Sequence, residues 1–336
     1  MSRSASQLQQ LVHNPSTATP ARAAGSIRRT SHMDMIPRGA ITRLGLSLMG
    51  GARDVLTRPD GSGAVLDEAT VRARLGEERV LESLATNPGA SLRGLSGRIV
   101  GAGFRAAVDT VVPRLKENQT PLYLLLDELP VAALIAGYAD LYLRAPDEPP
   151  TSSETAARKV KADICAGWAS DATMMQAIAS EGQIPIPVGP PAPAIERAGD
   201  PLSWHAIPEL PVGAMRRRRR IDVADSGHLA IDAMFRDTHV GPDGTETVLH
   251  EYSLTASADA GSYEILHCQA KARVLPWVEC PAAAASAGRL TGRRLPELRN
   301  FVRQSLTGTS TCTHLNDLLR SLADAAPLAS RLRAHL

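Results

Sequence analysis

Alternation of apolar and polar residues dominates the last third of the chain. In "HLAIDAMFRD" (His228 to Asp237), Leu229, Ile231, Ala233 and Phe235 share one face, the period of a half-buried strand. A Pro-Asp-Gly turn at 242–244 follows, and "EYSLTASAD" alternates again through Tyr252, Leu254, Ala256 and Ala258. "YEILHCQAKARVLPW" continues through Leu266, Cys268, Ala270, Ala272 and Val274. Two or three antiparallel strands are expected here. The period then changes. "PAAAASAGRL" opens with proline, a favoured first-turn residue, directly after Cys280. "LPELRNFVRQSL" sets Leu298, Phe301 and Val302 at helical spacing, and a last helix from about Thr313 carries Leu315, Leu318, Leu319 and Leu322 on one stripe. Strands followed by helices make an α+β order.

Part of this pattern is written twice. "RDVLTRPDGSGAVLDEA" (Arg53 to Ala69) matches "RDTHVGPDGTETVLHEY" (Arg236 to Tyr252) without a gap at Arg-Asp, Pro-Asp-Gly, Val-Leu and a Glu. Upstream, "SIRRTSHMDM" (Ser26 to Met35) faces "AMRRRRRIDV" (Ala214 to Val223). Downstream, Gly97-Arg98 faces Gly292-Arg293, and "TPLYLLLDELP" from Thr120 stands opposite "CTHLNDLLRSL" from Cys312. The expectation is two related copies, 26–130 and 214–325, each a small antiparallel sheet followed by helices, the first degenerate. A disordered leader (1–25), a helical and proline-rich connector (131–213) and a tail (326–336) complete the expected layout.

Composition narrows the class. A chain of 336 residues with 43% hydrophobic residues has enough material for real cores, and 3% aromatics means Ala, Leu, Val and Ile must build them. No apolar run approaches the length of a membrane span, and the N-terminus lacks a signal core. Four cysteines form no disulfide framework, which suits reduced thiols in the cytoplasm. A net charge of +2 without interleaved aromatics argues against a dedicated nucleic-acid module, and the composition is compatible with an oligomer.

The candidate chemistry lies in the second copy. Cys280 precedes one helix and Cys312 another, with Thr313 as a plausible cap and His314 in its first turn. A helix N-terminus favours a thiolate and keeps an imidazole neutral. With Asp237, His239 and His250 from the strands, these residues offer donors suited to zinc or iron. Each also has a structural reading: His250 as a strand residue, Asp237 as a salt-bridge partner, His239 as a solvated turn residue, Cys280 as packing. Cys165 and Cys268 read as core. The first copy sharpens the choice, because it has Leu56 opposite His239, Asp67 opposite His250, Thr120 opposite Cys312 and Leu122 opposite His314. A packing residue is needed in both copies; a site is needed once.

The expectation is therefore one metal or thiol site drawn from Asp237, His250, Cys280, Cys312 and His314. Cys312 serves as nucleophile or ligand and His314 as base or ligand. The run Arg216 to Arg220 is either a solvated strand edge or, through Arg218 and Arg219, a grip on a phosphate-bearing small molecule. Cleavage of a small acyl or acyl-CoA-type substrate is one function that fits, and a non-catalytic metal-binding or iron–sulfur-related accessory protein is the other.

Arg218 to Asp222, Asp237-Thr238, His250-Glu251, Cys280-Pro281 and Cys312 to Leu315 resemble the motifs of the bacterial family called domain of unknown function 2889. His239 stands where relatives in that family carry lysine. A more distant resemblance is to the iron–sulfur cluster scaffold fold of the NifU/IscU type, through a cysteine before an Ala/Ser-rich helix (Cys280) and a final cysteine before the last helix (Cys312). That likeness implies a fold and a shared ligand pocket, with Asp237 or His250 replacing the first scaffold cysteine.

Overall fold

Eight strands join a single antiparallel sheet in this computed structural model, which describes residues 12–39, 45–143, 162–181 and 185–335. Strands β1 (Ser26–Pro37), β2 (Leu46–Thr57), β3 (Gly63–Leu75) and β4 (Leu81–Asn87) form one meander. Strands β5 (Met215–Asp225), β6 (His228–Val240), β7 (Glu246–Asp259) and β8 (Ile265–Val274) form the other. The meanders meet where β1 pairs antiparallel with β5, Ser31 opposite Arg219, so the spatial order is β4-β3-β2-β1-β5-β6-β7-β8. The two small sheets expected from the sequence are thus halves of one mixed α/β architecture.

The repeated phrase folds the same way in both halves. Pro59-Asp60-Gly61 and Pro242-Asp243-Gly244 each close a hairpin, with the glycine at positive φ (84° and 80°) and the aspartate accepting from the N–H two residues on. Both hairpins also carry a register shift beside the phrase's aspartate, at Asp54/Val55 and at Asp237/Thr238.

Helices cover one face. After β4 come α1 (Phe104–Val111), α2 (Pro113–Glu117), α3 (Pro121–Ile135) and α4 (Gly137–Leu143), and α5 (Thr173–Glu181) lies in the connector. After β8 a 3₁₀ segment, Cys280–Leu290, stands where an α-helix was expected. Then follow α6 (Leu298–Ser305), α7 (Thr313–Ser321) and α8 (Ala325–His335). Helix α3 packs on β1, β2 and β3, and α8 packs on β1 and β5. The stretch Pro121–Ala139 is long and apolar enough by composition to cross a membrane, yet it is largely buried against this sheet. Its interrupting Asp127 and Glu128 are buried and ion-paired.

The opposite face is crossed by extended chain. The Thr19 N–H donates to the Ile195 carbonyl at 2.9 Å, and Arg216 donates to the Pro208 carbonyl at 2.6 Å. The expected disordered leader, 1–25, is ordered wherever it is described. Residues 1–11 lie outside the described residues, whereas 12–24 pack on the protein, with Ser16 N–H donating to Glu251 at 2.8 Å and Trp204 Nε1 to Thr19 at 2.7 Å. The expected tail is instead α8, with Leu328 and Leu332 buried.

The largest departure concerns the basic run. It is not a solvated edge but β5, at the centre of the sheet. Its arginines are neutralised in place: Arg216 by Asp34, Arg217 by Asp237 and Asp317, Arg219 by Glu128 and Asp317, Arg220 by Asp222 and Asp232. Strand β1 answers with Arg29 on Asp54 and Asp324, and Arg28 on Asp222. Arg219 is buried with its guanidinium committed to these partners, which leaves it poorly placed to grip an outside phosphate.

Asp324 is fully buried between Arg29 (3.1 Å) and Arg299 (2.6 Å). Asp324→Ala removes one of two carboxylates from each guanidinium, leaving Arg29 on Asp54 and Arg299 on Asp127, and a loss of about 1.5–3 kcal/mol is expected. Urea unfolding checks this; a change below about 1 kcal/mol, the scale of an exposed pair, would show the network to be dispensable.

Candidate functional site

Asp237 and His250 are cross-strand partners on β6 and β7, on the helix-covered face. Arg217 of β5 holds Asp237 with two hydrogen bonds, 2.7 and 2.8 Å, and lies over the Phe235 ring at 4.8 Å. From above, the first turn of α7 lowers His314 onto His250, their rings stacked at 3.8 Å and 15°. The carboxylate and both imidazoles bring ligand atoms within 4.8 Å of one another. The structure therefore brings together three of the five expected site residues as one cluster.

The other two lie beside it. Cys312 precedes α7, and Cys280 opens the 3₁₀ segment. The Tyr252 hydroxyl donates to the Cys280 carbonyl at 3.3 Å and stands next to the Cys312 thiol. Two further residues were not anticipated. Tyr138 of α4 meets His250 edge-on at 5.3 Å. Cys165 is brought in by the connector, where the Ala166 N–H donates to the Thr311 carbonyl at 2.9 Å. Gly167 beside it has no room for a side chain, since a Cβ would lie 2.7 Å from the Cys280 sulfur. No sequence spacing links Cys165 to the other cysteines; only its bulk-poor neighbourhood, "CAG", hints at a close approach. His239 stands apart, stacked on Tyr142 at 3.9 Å.

Electrostatics make this a pocket of neutral donors. Burial, then the charge of Arg217, presses His314 down to about 3; burial and the neighbouring His314 hold His250 well below its ordinary value. Burial pushes Cys165 up to about 11, and it raises Cys280 and Cys312 too. At Cys312 the N–H groups of Leu315 and His314 pull the other way and lose to burial. The expected thiolate at a helix N-terminus is thus a thiol. His250 Nδ1 and His314 Nε2 are buried with no hydrogen-bond partner, and His250 Nδ1 is 3.7 Å from Asp237, beyond hydrogen-bonding reach.

The cluster reaches a cleft through His314. His314 lines a cleft of about 650 Å³ between α1, α3, α6 and α7. Arg79, Arg105, Lys116, Arg299, Arg303 and Arg320 line it against the three carboxylates of Asp109, Asp127 and Asp317.

Residues 215–327, from β5 into α8, match the model of a family described as "Protein of unknown function (DUF2889)". No curated protein and no solved structure matches the chain. The likeness to iron–sulfur scaffolds therefore rests on the sequence order around Cys280 and Cys312 alone.

The raised thiols set a pH dependence for the metal-free protein. Their folded pKa values exceed the ordinary 9, so the folded state holds protons that the unfolded state releases. Stability is then full below pH 9 and falls as pH rises toward about 11, by about 1.4 kcal/mol per pH unit per thiol. Urea unfolding between pH 8.5 and 10 should show a shallower decline for Cys165→Ala than for the parent. Equal slopes would mean that Cys165 titrates as a solvated thiol.

Proposed function

We propose that His250, His314 and Asp237 hold a zinc or iron ion, with Cys312, two residues before His314, as a candidate sulfur donor, in a site that cleaves a small acyl-type substrate. The observation that carries this reading is the pair of buried, unpartnered imidazole nitrogens beside a carboxylate. Neutral imidazoles are ready to donate, and Arg217 fixes the orientation of Asp237 as an outer-sphere partner does. Bonds of 2.0–2.1 Å to a tetrahedral ion put ligand atoms roughly 3.3 Å apart. The 4.8 Å spread must therefore tighten, and the stacked rings must splay so that their lone pairs converge. When bound, the ion supplies Lewis acidity. His314 faces the cleft, whose cationic surplus suits a substrate bearing negative charge. The four cysteines are all unbridged, as a reducing cytoplasmic setting would keep them.

A second reading is a non-catalytic metal-binding protein. It is favoured by the burial of Asp237 and His250, which leaves His314 as the contact with the cleft.

We also infer that the halves are copies of one ancestral unit, the first stripped of its site. Arg29 on Asp54 repeats Arg217 on Asp237. Arg28 with Asp222 and Arg216 with Asp34 exchange partners reciprocally across the β1–β5 seam. In the first half Asp67 replaces the histidine, and Arg331 of α8 reaches Asp54 at 2.6 Å and Asp67 at 3.5 Å. That position is filled by a cation of the chain itself.

Protein purified without a chelating tag is expected to carry about one equivalent of zinc or iron. His250→Ala and His314→Ala should each lose it, and Cys312→Ser should retain less. Elemental analysis decides; no metal in the parent under reducing, chelator-free conditions sinks the reading. Metal without turnover of any acyl ester or thioester would favour the non-catalytic alternative.

A further inference from the structure

On the opposite face of the sheet, beneath residues 196–210, lies a cavity of about 1010 Å³. Arg53, Arg216 and Arg218 reach it from the strands, and His205 stands in its wall. Arg216 is satisfied by Asp34 at 2.6 Å and by the Pro208 carbonyl. Arg53 is not. It is 8% exposed, donates to the carbonyls of Trp204 (2.6 Å) and Pro201 (3.4 Å), and has no ion-pair partner among the described residues. Its Nε has no hydrogen-bond partner either, and neither has that of Arg218, whose sole ion-pair partner among them is the exposed Glu196 at 2.6 Å.

The second half shows what is missing. Arg236, the counterpart of Arg53 in the repeated phrase, is closed by its cross-strand neighbour Glu251 at 2.7 Å. Arg53 has Glu68 in the corresponding place across β3, but Glu68 is exposed and forms no ion pair with it. One half thus seals its buried arginine and the other leaves it open toward a cavity. Glu68 and Asp200 act on Arg53 only through space, outweighed by its burial, and no carboxylate around that cavity closes on it among the described residues. Asp200 is held by Arg22, Glu246 accepts from Thr238, and Glu196 and Glu209 are exposed. The histidines add no charge. His32 Nδ1 and His205 Nε2 are 2.6 Å apart, Thr30 binds the far side of His205, and burial with the surrounding arginines holds both rings neutral.

A guanidinium stays charged when buried, so leaving one unpaired is costly unless a counter-ion arrives. We propose that this cavity is an oxyanion site in which Arg53 and Arg218 grip a carboxylate or phosphate group of a small molecule. The fork of Arg53 suits a planar or tetrahedral oxyanion, and Gly51 keeps the His32–His205 wall in place, because a Cβ there would lie 2.8 Å from the His32 ring. The site is on the other face from Asp237, His250 and His314 and does not depend on a metal there.

Calorimetric titration of the full chain with inorganic phosphate and, separately, with succinate tests this and distinguishes the two sources of oxyanion. Saturable binding of at least one is expected. Arg53→Gln should weaken it about tenfold without lowering the thermal midpoint of the ligand-free protein. Glu196→Gln, which releases Arg218, should tighten it about threefold. No saturable binding of either anion up to about 50 mM, or equal affinity in Arg53→Gln, overturns the proposal. Should Arg53→Gln fail to fold, Glu196→Gln carries the test alone, and unchanged or weaker binding in it overturns the proposal.

Discussion

The buried arginine–carboxylate pairs across β1 and β5 are the constraint on which the rest of the molecule depends. A guanidinium cannot shed its charge on burial, so each one placed inside the sheet requires a carboxylate within reach and in the right orientation. Arg28 with Asp222 and Arg216 with Asp34 tie the two meanders across their seam. Arg217 and Arg219 tie β5 to Asp317 of α7, and Arg29 ties β1 to Asp324 just before α8. Such pairs add little net stability over an apolar core, but they are unforgiving of error. A one-residue slip of β5 would turn every guanidinium to the wrong face and leave its carboxylate alone. Charge sets the register here, and the apolar clusters beneath α3 and around α7 supply the driving force.

That constraint explains which parts of the fold are legible in the chain. Strands β6 to β8 and the paired hairpins can be read, because alternation and Pro-Asp-Gly are local signals. Helices α6 and α7 can be read for the same reason. Strand β5 cannot, since "RRRRR" has no apolar period and its burial is bought by carboxylates far away in sequence. Segment 12–24 is similarly opaque: Val12 is its one large apolar residue, and it is held mainly by hydrogen bonds to β7, β8 and the connector.

The candidate site was legible by difference rather than by motif. Comparing the halves singles out His250 and His314, since Asp67 and Leu122 stand opposite them. Asp237, in contrast, has its equal in Asp54, and both are held by the same arginine fork. What the comparison could not give is the balance of fields. A helix N-terminus pulls the Cys312 thiol toward ionisation, and burial among Tyr252, Cys280 and Cys165 outweighs it. Such a balance is a property of packing, and packing is not written in spacing.

The two halves therefore differ less in scaffold than in what closes the scaffold's charged fork. Arg29–Asp54 is closed by Arg331, a permanent cation. Arg217–Asp237 is closed by two neutral imidazoles that retain unpartnered nitrogens. The second arrangement is also not complete within residues 215–327, the part that matches a family. Tyr138 comes from α4 and Cys165 from the connector, and α1 and α3 form the far wall of the cleft to which His314 opens. The first half has Arg331 in this position, and its helices wall the cleft beside the cluster of the second. The candidate site is consequently built by the paired structure, because the strands of one half present Asp237 and His250 and the helices of the other form a wall of the cleft beside them.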